Sequence, residues 1–266
     1  MQVSRSCYYE WRNSANSPNS EQLKLRVAIK DIFAKSRKTY GSRRLVKALA
    51  IAGYQVGRYQ VRSIMKRLNL EVRYPKRFRV TTDSRHTLKV EPNLLNRRFN
   101  PAHPNQVWTT DLSYIWTNEG WMYLAVVIDL FSRRVVGWAI DEHMQTSLCI
   151  KALQMAYWRK KPETGLLHHS DRGSQYASHD YRQQLKMMGM NQSMSAKGDC
   201  WDNSPTERFF RSLKSEHLSY ESLKTKMMAK LSIIDYIAFY NGQRLHSTLN
   251  YQSPIAFESL NYKEIA

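Results

Sequence analysis

Acidic residues are scarce in this sequence. Only 22 Asp and Glu stand against 41 Lys and Arg in 266 residues, a formal charge of +19. That balance favours a polyanion as partner, either nucleic acid or an anionic membrane surface. Long apolar runs are also missing. The longest, Tyr123 to Ile128, is closed by Asp129, far short of the roughly 20 residues needed to span a bilayer. No signal-peptide pattern opens the chain, so nucleic acid is the partner expected. Cysteine is nearly absent: Cys7, Cys149 and Cys200 form no CxxC pair. This argues against a disulfide framework and a Cys/His zinc site, and suits a reducing cytoplasm. His168-His169 is the one close histidine pair, and adjacent strand residues point to opposite faces rather than to one metal. The absence of a GxxxxGK[ST] loop leaves nothing to suggest nucleotide-triphosphate hydrolysis. No internal repeat is evident.

What the chain does contain changes character along its length. Residues 1–20 end in the polar stretch Asn13–Ser20 and read as an extension or linker. Residues 21–80 carry three short helical patterns. Leu25, Ala28, Ile29 and Ile32 keep the i, i+3, i+4, i+7 spacing of an amphipathic helix. Leu45, Ala48, Leu49 and Ala52 repeat it, with Ser42 as the expected N-cap, and Val61, Ile64, Met65 and Leu68 repeat it again. The turn between the last two, Gly53-Tyr54-Gln55-Val56-Gly57, has the length and glycine content of a helix-turn-helix. The polar face of the third helix presents Arg58, Arg62, Lys66 and Arg67, with Gln60 beside them. Such a face supplies phosphate contacts and base-edge donors in a DNA groove; the alternative is an ordinary solvated face. The basic run continues through Arg73, Lys76, Arg77 and Arg79 into a polar, basic connecting segment over 81–104.

From residue 105 the period shifts to that of strands. Val107–Ile115, Trp121–Asp129 and Arg134–Ile140 read as three strands, the first two joined by a hairpin at Trp116–Gly120. A helix over 146–159, a strand over 165–170, a helix over 179–188, a short strand over 191–195 and a long helix from Pro205 follow. Consecutive strands followed by alternating helices and strands predict an α/β fold, a mixed sheet covered by helices, over 105–266 with a helical tail.

Three acids occupy telling positions in this second region. Asp111 lies inside a β-prone run, where aspartate is disfavoured, unless it ends the strand as a turn residue. Asp171 closes another strand, where ligands gather and where a plain turn is the alternative. Glu207 falls in Ser204-Pro205-Thr206-Glu207, which also fits a capping box with Ser204 as N-cap, Pro205 at N1 and Glu207 at N3. Brought together, three carboxylates form a hard-oxygen donor set for Mg²⁺ or Mn²⁺. Two such ions would activate an attacking hydroxyl and stabilise a leaving oxygen.

The spacing of these acids, 60 positions from Asp111 to Asp171 and 36 from Asp171 to Glu207, leaves 35 residues in the second interval. That is the D,D(35)E pattern, and the chain resembles the retroviral integrases and bacterial insertion-sequence transposases. It is most similar to the orfB-type transposases of the insertion-sequence-three family. The matching stretches are Tyr40-Gly41-Ser42-Arg43-Arg44, Trp108-Thr109-Thr110-Asp111, His169–Tyr176, Trp201-Asp202-Asn203, Tyr240-Asn241 with Arg244 and His246, and Ser253-Pro254. The resemblance implies an RNase-H-like catalytic domain behind a helix-turn-helix domain. It further implies Asp111, Asp171 and Glu207 as ligands of two Mg²⁺ ions (Mn²⁺ as substitute) and catalysts of DNA strand cleavage and strand transfer. Lys214, two helical turns beyond Glu207, matches the family's basic residue and would reach DNA phosphate, or is simply a solvated lysine. Arg172, Arg208 and Arg211 are candidate phosphate contacts. Trp201, Asp202 and Asn203 precede the helix of Glu207 and are candidates to touch bent DNA, with core packing the alternative for Trp201.

The implied partners are double-stranded DNA, as transposon ends and target, and further copies of the chain in an oligomer on DNA. The implied location is the bacterial cytoplasm at the nucleoid. Family members are usually fused to an upstream orfA-type partner carrying another helix-turn-helix and a coiled coil, which this chain lacks. Its opening, Val3–Tyr9, looks like the interior of the family's N-terminal region. Two other functions compete on the residues alone: a catalytically silent DNA-binding regulator, and an RNase-H-like nuclease without strand transfer.

Overall fold

The computed structural model describes residues 4–16, 20–73, 90–196 and 199–262. The chain divides into two compact units, Met1–Arg73 and Tyr74–Ala266. Lys76, Arg77 and Arg79 of the basic run lie outside the described residues.

The first unit is helical: α1 (Arg5–Asn16), α2 (Ser20–Lys35), α3 (Ser42–Ile51) and α4 (Arg58–Arg67). Its core is the set of periodic apolar positions, Leu25, Ile29 and Phe33 of α2, Leu45 and Leu49 of α3, and Val61, Ile64 and Met65 of α4. α3 stops at Gly53, whose φ of +87° is open to glycine without strain. There the amides of Gly53 and Tyr54 donate to the carbonyls of Ala50 and Leu49, which closes the helix end in a Schellman pairing. Two local expectations are corrected. Gly41, not Ser42, is the N-cap of α3; Ser42 is already helical, and its hydroxyl accepts from Arg58 Nε at 3.4 Å. The polar residues Asn13–Asn16 complete the last turn of α1 instead of forming a linker. Ser and Asn are only mildly poorer helix formers than Ala, so their presence does not prevent a helix.

The second unit is built on β1 (Val107–Thr117), β2 (Gly120–Asp129), β3 (Val135–Asp141), β4 (Leu167–Ser170) and β5 (Asn191–Met194). They form one sheet in the order β3-β2-β1-β4-β5. β1, β2 and β3 pair antiparallel, whereas β4 lies parallel to β1 and β5 parallel to β4. One face is covered by α5 (Thr146–Lys160), α6 (Ser174–Ala177) and α7 (His179–Met187). Trp108, Ala125, Val127, Leu148, Leu153 and Tyr181 are among the residues packed there. α5 approaches β3 so closely that a Cβ on Gly137 would stand 2.2 Å from the Ala152 carbonyl oxygen, so this position accepts only glycine. On the other face lie α8 (Ser204–Glu216) and α9 (Lys226–Gly242), which bury Ile115, Val126 and Ile128 with Phe209, Leu213 and Ile233. α10 (Pro254–Tyr262) follows; its Glu258 is buried and paired with Arg134 (3.0 Å) and Lys160. Every predicted strand and helix of this region is present. Among the described residues no helix is long and apolar enough to cross a membrane.

Residues 90–97 do more than connect. The Met194 amide donates to the Pro92 carbonyl at 3.3 Å, and the amides of Leu94 and Leu95 donate to Ser193 Oγ at 2.9 and 3.2 Å. The segment therefore straps the outer edge of β5, with Leu95 buried, and covers an edge that would otherwise be exposed.

Asp129 closes β2 and is fully buried. Burial pushes its carboxyl up to about 6, although the amides of Phe131 and Asn105 donate to it and pull the other way. A carboxyl whose folded pKa lies above its unfolded value stabilises the fold below about pH 4 and loses that contribution as pH rises through 6. The wild type should therefore lose about 3 kcal/mol relative to Asp129→Asn between pH 4 and pH 7. Parallel denaturation series of the two proteins across that range would test it; parallel pH profiles would refute it.

Candidate active site

The 60-residue spacing of the two aspartates is a property of the sheet. Val107 pairs with Leu167, Trp108 with His168 and Thr109 with His169 in the parallel register, an offset of 60 (167 − 107). Continued two residues beyond the last pair, that register brings Asp171 level with Asp111 on the same face of neighbouring strands, which lie about 4.8 Å apart. Asp111 is mid-strand, opposite Val126 of β2, so it does not end the strand as a turn residue. Its carboxylate accepts from the Leu112 amide at 2.7 Å. Asp171 stands just past the end of β4, and its Oδ1 accepts from the Gly173 amide at 2.9 Å.

Glu207 reaches the same place because the start of α8 is fastened to β1. Asn203 donates through Nδ2 to the Thr110 carbonyl at 3.1 Å. The Thr206 hydroxyl donates to Asn203 Oδ1 at 3.0 Å and lies 2.8 Å from the Thr109 hydroxyl. All four residues are buried. The capping-box expectation is corrected here. Asn203 is the N-cap, Ser204 is the first helical residue, and no side chain caps the helix. With the helix beginning one residue earlier than that motif requires, Glu207 is free of a capping role.

Coulombic interactions connect the three acids. Burial, then the charge of Asp171 and that of Glu207, raise Asp111 well above the usual carboxylate range, against the Leu112 amide and Lys214. Partial burial and then Asp171 raise Glu207, which keeps solvent access at the mouth of the site. Among the described residues, no group of three or more His, Cys, Asp or Glu is closed tightly enough to hold a metal ion. The carboxylates share one field without forming a finished cage.

The basic candidates divide. Lys214 joins the acids: burial lowers its pKa to about 8, Asp111 counteracts this, and its Nζ lies 4.5 Å from the Tyr114 ring centroid. Arg211 is exposed on the same side of α8, one turn from Glu207. Arg208 is also exposed but faces another flank, near Arg133, whose charge is disfavoured first by burial and then by Arg208. Arg172 uses Nε to donate to the Ser195 carbonyl at 2.7 Å, bracing the end of β5. Arg58, Arg62, Lys66 and Arg67 all lie on the exposed side of α4 in the first unit, with Gln60 and with Tyr59, which is 88% exposed. Trp201 is 69% exposed, so core packing does not account for it.

The structure gives other residues roles that the sequence did not assign: Asp202 and Asn203, candidates to touch DNA, are buried and bonded within the fold. Asp202 accepts from Asn93 Nδ2 (2.8 Å), Arg97 Nε (2.8 Å) and the Ala196 amide (2.9 Å). Burial opposes its charge, but the Ala196 amide and Arg97 hold its carboxyl below the usual range. Asp202 thus ties the strap at 90–97 to the turn that launches α8. His168 meets the Tyr181 hydroxyl (3.2 Å) and His169 the Ser193 hydroxyl (2.9 Å), so the two imidazoles do occupy separate surroundings. Burial lowers them to about 3 and about 4, and both are neutral at pH 7.

A mixed sheet of this order, with carboxylates meeting at the end of its parallel pair and a helix-turn-helix unit before it, defines the integrase-type polynucleotidyl transferases. Models of the integrase core domain match residues 101–200 and 188–254, and a model of an HTH-like domain matches residues 19–78. The chain is 45% identical to the "Insertion element IS600 uncharacterized 31 kDa protein" of Shigella sonnei, over 99% of this chain and 97% of that protein. It is 38% identical to the "Transposase InsF for insertion sequence IS3A" of Escherichia coli (strain K12), over 98% of this chain and 92% of that one. In fold it is similar to a chain of the simian T-cell lymphotropic virus intasome solved with PP2A regulatory subunit B56 gamma. That match has a TM-score of 0.54 at 15% identity, over 80% of this chain and 69% of the other. The chain belongs to the insertion-sequence-three (IS3) transposase family, and its function is that of a DDE transposase in insertion-sequence transposition.

Proposed function

We propose that Asp111, Asp171 and Glu207 are the catalytic carboxylates of a reaction in two parts. A phosphodiester at a transposon end is hydrolysed to free a 3′-hydroxyl, and that hydroxyl then attacks a phosphodiester of the target. One phosphodiester replaces another, so no nucleotide cofactor is consumed. The observation that carries this reading is the parallel register that brings Asp171 level with Asp111; beyond burial, the Asp171 charge raises the proton affinity of both Asp111 and Glu207. Carboxylates gathered in a protein of charge +19 fit a hard divalent cation. When bound, two Mg²⁺ ions (or Mn²⁺) would neutralise the acids and polarise the attacking and leaving oxygens.

The rest of the chain positions DNA. Asn203 and Thr206 hold the first turn of α8 against β1, and so fix Glu207 beside the aspartates. Lys214 and Arg211 offer cations for phosphates next to the reacting one, and Arg172 and Arg208 flank them. Arg58, Arg62, Lys66 and Arg67 of α4 would meet the double-stranded transposon end. The domain limits proposed for this division of labour are 21–80 for end binding and 105–266 for catalysis. The protein would work as an oligomer on DNA at the bacterial nucleoid, with an upstream orfA-type partner contributing to end recognition.

Labelled end-sequence DNA incubated with the protein and Mg²⁺ tests the proposal. A joined product is expected. Cleavage without joining would identify a nuclease, and binding without either would identify a regulator.

A further inference from the structure

The hairpin of β1 and β2 carries aromatic side chains that the helices leave partly uncovered. Trp116 and Trp121 stand directly opposite one another across the two strands. Their ring centroids are 4.8 Å apart at 69°, and they remain 56% and 46% exposed. Tyr114, two residues back on the same side of β1, meets Trp121 at 5.2 Å and 83°. The Lys214 ammonium lies 4.5 Å from the Tyr114 ring centroid, and its charge also reaches Asp111. One lysine therefore joins the aromatic cluster to the acids.

Spacing and charge identify what would cover this surface. At about 3.3 Å per strand residue, Tyr114 lies about 10 Å and Trp116 about 17 Å along β1 from Asp111, and strand alternation puts both on the opposite face of the sheet. β4 pairs with β1 only as far as Thr109, so a DNA strand can pass round the open edge of β1 beside Lys214, the cluster then lying several nucleotides from the acids at about 3.4 Å per stacked base. Glu119, the acid at the hairpin turn, accepts from the Lys226 amide at 2.8 Å, and Lys226 Nζ in turn pairs with Glu142 at 2.6 Å. Aromatic faces beside a cation are what nucleic-acid single strands bind, because every base has a π-face and every linkage a charge.

We propose that Tyr114, Trp116 and Trp121 form a stacking platform for unpaired bases of the DNA strand that runs to the acids, with Lys214 holding the phosphate between. The platform rests on the transposase reading for the reason a strand is there, but its binding can be measured apart from chemistry. Fluorescence anisotropy without divalent metal would compare labelled oligothymidine, a DNA end with an unpaired overhang, and a blunt duplex. Trp116→Ala/Trp121→Ala should weaken the first two by about five- to a hundredfold and leave the blunt duplex nearly unchanged. Trp116→Phe/Trp121→Phe should retain most of the affinity.

Equal loss on all three DNAs would reduce the pair to a packing role and overturn the proposal. So would unchanged binding, or a dimer of the wild type that the alanine variant abolishes, since a second copy would then cover the patch. Should the alanine variant not fold, oligothymidine should still quench wild-type tryptophan fluorescence, and the phenylalanine variant should lose that quenching. A wild type without quenching would equally sink the platform. Failure of the joining reaction leaves these affinities unaltered, so the two ideas fail separately.

Discussion

Glu207→Gln should abolish strand cleavage and joining while leaving the melting temperature unchanged or slightly higher. Glutamine keeps the size and helix preference of glutamate but is a much poorer ligand for a hard cation. Residues that merely support metal ligands typically cost 10–100-fold when changed, so losing a ligand should cost more than about 100-fold in rate. The stability half of the expectation follows from the start of α8. Asn203 is the N-cap and no side chain caps the helix, so no cap is lost. Burial and Asp171 both disfavour the Glu207 charge, and a neutral side chain removes that repulsion. Thermal melts with and without Mg²⁺ separate the roles further. Metal should raise the wild-type midpoint by linkage and raise the variant's far less. An active variant, or one that melts several degrees lower without metal, would make Glu207 a structural residue.

Much of this site was legible through the resemblance carried by the D,D(35)E pattern and its flanking motifs. Strand periodicity marked Asp111 as strand-borne, but the offset of 60 that sets it beside Asp171 belongs to the folded pair of β1 and β4 and cannot be read from the spacing alone. The helix-turn-helix was legible from helical periodicity: Leu25, Ile29, Leu45, Leu49, Val61, Ile64 and Met65 are buried as expected, whereas Ala52 is exposed and Phe33, outside the expected set, is buried. What escaped was decided by contacts distant in sequence. Asn203 and Asp202 sit in adjacent positions, yet one fastens α8 to β1 and the other holds residues 93 and 97. Neither partner can be read from the local pattern. The strap at 90–97 looked like a connector because its ordering comes from the edge of β5 and not from its own periodicity. Glu207 shows the opposite error. Its local motif was good enough to suggest a cap, but the Asn203–Thr110 bond fixes the helix start elsewhere.

Arg244→Met should lower the stability of the catalytic unit by about 3–5 kcal/mol, the usual cost of stranding one member of a buried ion pair. For a unit of this size that corresponds to a fall of about 10 °C in melting temperature. Arg244 donates through Nε and Nη2 to the two oxygens of Glu216, at 2.7 and 2.6 Å, in a bidentate pair that is almost wholly buried. Burial opposes the Arg244 charge, but the hydrogen bonds to Glu216 prevail and hold its pKa above the ordinary value. Nη2 also reaches Ser212 Oγ at 3.3 Å, and the Tyr236 hydroxyl donates to Glu216 at 3.1 Å. Ser212 and Glu216 lie on α8, Tyr236 on α9, and Arg244 just beyond α9. The cluster therefore locks the far end of the helix that presents Glu207 and Lys214. Methionine would leave the Glu216 carboxylate buried without its cation. The double variant Arg244→Met/Glu216→Leu should recover most of the lost stability, because removing both charges also removes the desolvation cost. Activity separates a locking role from a purely energetic one. If the pair fixes the setting of α8, the double variant will be stable yet slow in strand transfer at temperatures where it is fully folded. Wild-type rates in a stable double variant would mean that apolar packing alone sets the helix.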